Sequence, residues 1–331
     1  MRRAAGYASL ASMAAVVLFA LQTPPLAAVS FADEIARLSE PEGAFDTDNL
    51  ISNERSYLEV VPALLASGAS GGAYIGVGTD QNFSYIARIR PSVAYIIDIR
   101  RDNLLLHLLF KALFALAPDR VTFLALLTGR SPPALADGAS ADDLVRAIDG
   151  APRAAHTTAL NATIRGFGVP LSPADIDTID RFHEAFVQRG LALKFNSHGR
   201  PPQPHYPTLR DLIVATDRAG HAWHYLAADA DYQFLRQLQA RDLIVPVVGD
   251  VSGPHALRAI GQTVAARAQR VAAFYISNVE SYLYRDGAYG RFRANLSGLP
   301  RDARSVMIRS IFGGASSTSA VQPMDEMLAG K

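Results

Sequence analysis

Cysteine is missing from all 331 residues. That excludes disulfides, thiolate metal sites, a cysteine nucleophile and the lipidated cysteine of a bacterial lipoprotein. Lysine is almost missing, occurring only at Lys111, Lys194 and Lys331, so arginine carries the basic side. An excess of one sign is missing too: 32 Lys plus Arg face 31 Asp plus Glu. Without a basic surplus to grip a phosphate backbone, nucleic acid is not an expected partner. The Gly-x-Ser-x-Gly elbow, the P-loop and His-Glu-x-x-His are all absent. His221 and His224, in Gly-His-Ala-Trp-His-Tyr, have no evident third ligand, and no metal site is expected.

What is present begins with the first 30 residues. Arg2 and Arg3 precede an apolar run from about Leu10 to Leu21, then Pro24-Pro25, then Ala28-Val29-Ser30. This order is that of a signal peptide, and the run is shorter than the roughly 20 residues that span a bilayer. The expectation is a periplasmic or secreted protein whose mature chain starts near Phe31. An uncleaved membrane anchor, or a start codon placed too early on a cytoplasmic protein, are the alternatives.

With 49% hydrophobic and 19% charged residues, the remainder can bury a large core. Its length suits one α/β domain over 31–315 carrying an insertion. Phe31 to about Leu65 reads as helical, interrupted by Phe45 to Glu54, where Asp48 or Asn49 serves either as a helix cap or in a site loop. Gly71 to Gly78 is an apolar strand between glycine turns, Phe83 to Ile89 a helix, and Val93 to Ile99 a continuous apolar run rich in β-branched residues. Continuous apolarity marks a strand buried on both faces, hence a mostly parallel, Rossmann-like sheet with helices on each side. Asn103 to Leu116 is too apolar for a surface helix. About 128–204 there are helical pieces and no strand signal, which reads as a helical insertion able to cover a site. The strand pattern resumes at Leu243 to Val248 and Val271 to Ser277, with Ser305 to Phe312 as a possible last strand. The stretch 316–331 reads as a loose, flexible tail.

In an open parallel sheet, ligands sit beyond the carboxyl ends of the strands. That rule selects Gly76 and Gly78 with Asp80, then Asp98, Asp250, and finally Ser277-Asn278 with Glu280 nearby. Glycines after the first strand let a ligand approach the backbone. An acid ending the second strand, about 20 residues on, is where a ribose diol is held. Asp98 has two rival readings, a cap for the next helix or a partner of Arg100 or Arg101. Those arginines also suit a 2′-phosphate, which would admit NADP. Asp250 either meets a ligand or caps the helix after it, and Tyr282 and Tyr284 are candidate pocket walls.

The stretches Phe45 to Glu54, Tyr74 to Tyr85, Asp98 to Phe114, Leu243 to Gly253 and Phe274 to Leu283 together resemble a family of uncharacterised bacterial proteins. That family has a class I S-adenosylmethionine-dependent methyltransferase-like fold. The resemblance covers nearly all of the chain after Phe31. It implies a seven-stranded sheet and a nucleoside-shaped cleft, with S-adenosylmethionine as cofactor. On this resemblance Gly76, Gly78 and Asp80 flank the cofactor, Asp98 matches the ribose acid and Asp250 the acid near adenine. Asn278 and Glu280 then fall at the catalytic position. The pattern departs from that of active methyltransferases at Tyr74, where they carry an acid, at Asp80, where a third glycine is common, and at Ser277-Asn278, which lacks Asn-Pro-Pro. Two alternatives stand beside methyl transfer: a non-catalytic exported protein that binds a nucleoside-like small molecule, and an NADP-dependent oxidoreductase. Export favours the first of these, because S-adenosylmethionine is made in the cytosol.

Overall fold

The computed structural model describes residues 29–329 apart from 46, 48, 155–156, 198–202 and 314–315. Of the expected signal segment only Val29 and Ser30 fall among them. Ser30 caps the first helix, α1 (Phe31–Leu38), accepting from the Asp33 backbone N–H at 3.1 Å. Among the described residues no helix is long and apolar enough to cross a membrane.

The protein is α/β, with one six-stranded, mostly parallel sheet flanked by helices. After α1, a 3-10 turn at Arg55–Leu58 and α2 (Val61–Ala66) lead into β1 (Ala73–Val77), α3 (Gln81–Ile89) and β2 (Val93–Asp98). Both strands are apolar along their length because helices cover each face, and only Asp98, at the exit of β2, escapes full burial. Then come α4 (Arg101–Leu116), α5 (Arg120–Leu127), α6 (Ala141–Gly150), α7 (Thr157–Gly166), α8 (Pro173–Arg189), α9 (Leu209–Ile213) and α10 (Asp229–Ala240). The sheet resumes with β3 (Ile244–Val248), α11 (Ala256–Ala266), β4 (Val271–Ser277), α12 (Val279–Arg285), α13 (Tyr289–Ser297), β5 (Val306–Gly313), β6 (Ser316–Pro323) and α14 (Met324–Ala329). The strand order is β3-β2-β1-β4-β5-β6, all parallel except β6. Because the chain leaves β1 towards β2 and returns to its other side as β4, the switch point lies between β1 and β4.

One face is covered by α3, α4 and α10, the other by α1, α11, α13 and α14. Burial of α4 on nearly every side follows from its position, with β2 and β3 beneath it and α7 and α8 outside it. Arg120, 1% exposed, ties this helical region together: it donates to the carbonyls of Leu226 and Ala227 and to Asp229.

Several expectations are corrected here. The sheet has six strands among the described residues, not seven. The stretch expected to be a loose tail is largely β6 and α14: Ser316–Pro323 pairs antiparallel with β5 from Gly313 to Val306, and Met324 and Met327 are buried. The helices of 128–204 pack on α4 and α5, and none of the residues lining the cleft described below comes from them. They brace the sheet's outer helical layer and do not cover the site. Asn49 caps no helix. It sits at φ +50°, and the turn that follows starts at Glu54 with no side-chain cap. Asp48 lies outside the described residues.

Candidate functional site

A cleft of about 310 Å³ opens where the carboxyl ends of β1 to β4 converge, within the size range of small-molecule sites. Its walls are Val77-Gly78, Ile97 to Arg100, Gly249 to Ser252 and Ser277 to Val279, with Phe45 and Asn49 coming from the segment before β1 and further residues from α12 and α13. Phe45 meets Tyr282 edge to face at 5.1 Å, an aromatic rim on the mouth. Tyr284 instead turns outward, stacking on Tyr289. The structure therefore brings Gly78, Asp98, Asp250 and Asn278 together, and places Gly76, Asp80 and Glu280 elsewhere.

The two glycines have different reasons to be glycine. Gly78 turns the chain at φ +85° beside the cleft, a conformation that a side chain would strain. Gly76 makes room for a neighbour: a Cβ there would fall 1.8 Å from Asn82 Oδ1. Asn82 clamps the β1–α3 turn, donating to the carbonyls of Val77 and Thr79 while Tyr74 donates to it at 2.8 Å.

Asp98 ends β2 as expected, but its carboxylate is already engaged. Arg100 donates to Oδ1 from its backbone N–H and from Nε, each at 3.0 Å, and to Oδ2 from Nη2 at 2.9 Å. The remaining guanidinium nitrogen donates to the Thr47 carbonyl at 2.7 Å. Arg101 is drawn away to Asp175, held in a two-point pair at 2.8 and 3.1 Å. Asp250 folds its own loop, accepting from the backbone N–H and hydroxyl of Ser252 at 2.7 and 3.0 Å. The start of α11 is served instead by Glu40, which accepts from the backbone of Asp250, His255 and Ala256.

Asp80 lies behind the β1–α3 turn, 5% exposed, with Tyr225 donating to it at 3.3 Å. Burial, only partly offset by the hydroxyls of Tyr225 and Thr79, pushes its carboxyl up to about 7. It is a core acid and does not replace the missing acid at Tyr74. Glu280 is likewise spent, on Arg309 at 2.6 and 3.1 Å.

The β4 wall holds what the sequence alone does not reveal. Ser277 adopts φ +53°, a left-handed conformation that costs a non-glycine residue about 1–2 kcal/mol. The β4–β5 register shifts between Tyr275 and Ser277, and a bulge of this kind re-aims the side chain it carries. Ser277 thus lines the cleft while donating to Glu54 Oε1 at 2.6 Å. Glu54 is 2% exposed and receives two more hydroxyls on Oε2, from Tyr275 at 3.1 Å and from Ser310. Burial raises its carboxyl above the ordinary value in spite of these three donors. Among the described residues no cation lies within ion-pairing distance of it. The only sequence hint was Glu54's place at the end of the Phe45 to Glu54 block.

The histidines flagged by the sequence do not converge. His224 is buried against Tyr225 and accepts from the Leu226 backbone N–H, and burial pushes its imidazole down to about 3. His221 sits on the exposed loop beside Asp217.

Comparison with curated proteins finds no match. One family model, described as Domain of unknown function (DUF7790), matches residues 50–137 and 203–327. The unmatched stretch between them falls on α6 to α8, and both the Glu54 segment and the four strand ends lie inside the match. The match takes in more than half of the chain, and the protein belongs to this DUF7790 family.

Proposed function

We propose that the cleft holds a nucleoside-type small molecule and that the protein is an S-adenosylmethionine-dependent methyltransferase-like protein whose acceptor is unassigned. The observation that carries this reading is the convergence of four parallel strand ends on one cleft, with Gly78, Asp98 and Asp250 on its walls. Gly78 lets a ligand approach the backbone of the first turn. A carboxylate has about four lone-pair sites, and Arg100 uses three of those on Asp98. Asp98 therefore has room for one ribose hydroxyl, not both. Asp250 keeps acceptor capacity on each oxygen after serving Ser252. Phe45 and Tyr282 offer apolar faces for a planar base. Asn278 lies close enough along the same wall to orient an acceptor, and Glu280 is withdrawn from that role because Arg309 holds it.

The oxidoreductase alternative has less support. Arg100 and Arg101, which would have to hold a 2′-phosphate, are committed to Asp98, Thr47 and Asp175. β6 runs against the rest of the sheet, so the second half does not repeat the βαβαβ unit that a dinucleotide uses twice.

Titration calorimetry of the full chain with S-adenosylmethionine, S-adenosylhomocysteine, adenosine and NADP tests the reading. Binding of the first three is expected, weakened about tenfold by Asp250→Ala through loss of one charge-assisted hydrogen bond. A folded protein that binds none of the three refutes it. Binding of S-adenosylhomocysteine and S-adenosylmethionine with equal strength and no methyl loss on incubation favours the non-catalytic ligand-binding alternative.

A further inference from the structure

We propose that Ser277 is a nucleophile with Glu54 as its base, acting on a carboxylic ester or thioester bound in the same cleft. This goes beyond the nucleoside reading, which places its cofactor contacts on Gly78, Asp98 and Asp250 and uses neither Ser277 nor Glu54, so the two are tested separately.

Three observations of geometry carry it. Ser277 closes β4, with only Asn278 between it and the start of α12 at Val279, so it stands on a strand-to-helix turn at the top of the sheet. It holds a left-handed φ, follows a register shift against β5 and lines the cleft, with its hydroxyl between the cleft wall and the buried Glu54. Strained strand–serine–helix turns expose nucleophilic hydroxyls in this way. Here, in Tyr275-Ile276-Ser277-Asn278-Val279, no glycine flanks the serine, so a search for the glycine-bracketed pattern passes over it. The third observation is the partner. Ser277 Oγ donates to Glu54 at 2.6 Å, and Glu54 is a buried carboxylate whose other partners, Tyr275 and Ser310, are neutral hydroxyls. A carboxylate starved of water and of cations is a stronger base than a solvated one, and a base within hydrogen-bond reach of a serine is the arrangement that activates it. A seryl hydroxyl that only filled space would need neither the strained backbone nor the opening onto the cleft.

The reaction balances within these groups and water. Ser277 Oγ bonds to the acyl carbon as its proton passes to Glu54, and the carbonyl oxygen takes the electron pair. Asn278, next along the cleft wall, turns its Oδ1 towards Ser277 Oγ at 3.5 Å, and a rotation of its amide group would bring the NH2 to donate to that oxyanion. The carbon–leaving-group bond then breaks. The alcohol or thiol departs with the proton from Glu54, leaving an acyl-serine. Water attacks this ester and gives its proton to Glu54, and Ser277 leaves the acyl carbon, recovering that proton as the free acid departs.

The test is labelling of the full-length protein with a fluorescent alkyl fluorophosphonate, in which serine displaces fluoride from phosphorus, followed by mass-spectrometric mapping. Labelling of the wild-type protein at Ser277 is expected, with none in Ser277→Ala and at least a 100-fold slower rate in Glu54→Gln. A folded wild-type protein that takes no label, or is labelled elsewhere, overturns the proposal. So does a Glu54→Gln variant labelled within fivefold of wild type, since Glu54 would then not be the base. Should Glu54→Gln not fold, Glu54→Asp is read against the same limits, because its shortened carboxylate no longer reaches Ser277. S-adenosylhomocysteine binding measured on Ser277→Ala keeps this outcome distinct from failure of the nucleoside reading.

Discussion

Four of the sequestered carboxylates sit on arginines: Asp98 on Arg100, Glu280 on Arg309, Asp175 on Arg101, and Asp231 on Arg88 and Arg90. Beside the switch point Glu54 and Asp80 sit on hydroxyls. The two sets use the same side-chain type, and Asp175 in the first shifts downward while Glu54 and Asp80, buried more deeply, shift upward. An adjacent guanidinium stabilises the charged form, whereas a hydroxyl compensates only part of the desolvation. Hence the Arg101 guanidinium and the Ser172 cap hold Asp175 down at about 2 while Asp80 is pushed up to about 7. A shifted carboxylate can exchange protons near neutral pH, and a well-paired one serves mainly to hold parts together. Of the acids expected from strand-end position, Asp98 and Glu280 sit on arginines while Asp80 and Asp250 sit on hydroxyls and backbone, and the strongest candidate for chemistry was one that position does not pick out.

The comparison breaks most visibly if the paired class proves dispensable. Arg100→Ala leaves the Asp98 carboxylate, 12% exposed, facing the cleft without its cation, and a loss of about 3–5 kcal/mol is expected in urea denaturation. A loss under about 1 kcal/mol would show that the pair behaves as a solvated surface contact.

The pH dependence of unfolding separates the two classes by sign. Asp80 binds its proton more tightly folded than unfolded, so its contribution favours the folded state at low pH and is lost as pH rises from about 4 to about 7. Asp175 does the reverse: its stabilisation is present above about pH 4 and is lost as pH falls through about 2. Asp80→Asn should therefore gain stability relative to wild type between pH 5 and 8, by about 2–4 kcal/mol at the upper end. Asp175→Asn should differ from wild type above pH 4 and converge with it in acid. Parallel stability curves for Asp80→Asn and wild type would mean that Asp80 titrates normally.

The smallest effect concerns backbone strain. Ser277→Gly and Ser277→Ala both lose the hydroxyl, and only glycine relieves φ +53°. Ser277→Gly should be the more stable of the two by about 1 kcal/mol. Equal stabilities would place Ser277 in an unstrained conformation and weaken the case for a turn shaped around its hydroxyl.

Most of the sheet was legible from the chain. Val93 to Ile99 and Leu243 to Val248 read as two-sided strands because burial on both faces demands unbroken apolarity. Asn103 to Leu116 read as an interior helix for a related reason. β6 was missed because Ser316-Ser317-Thr318-Ser319-Ala320 is small and polar. An edge strand takes its order from a neighbour's backbone, and its side chains carry little trace of that pairing. The insertion's helices were legible too, but their packing on α4 was not, since periodicity says which face is apolar and nothing about what meets it.

The local pattern of apolar residues and glycines by itself determined a parallel α/β core, a turn at Gly78 and a set of strand-end positions where a ligand would meet the chain. It could not say which acids remain available there. Asp98 lost most of its capacity to a residue two positions away, a rival that the chain made visible without deciding between the readings. Glu54 gained its character from Tyr275 and Ser277, 221 and 223 positions distant. Desolvation and hydrogen bonding depend on what surrounds a group in three dimensions, so only the folded packing separated a structural carboxylate from a chemical one.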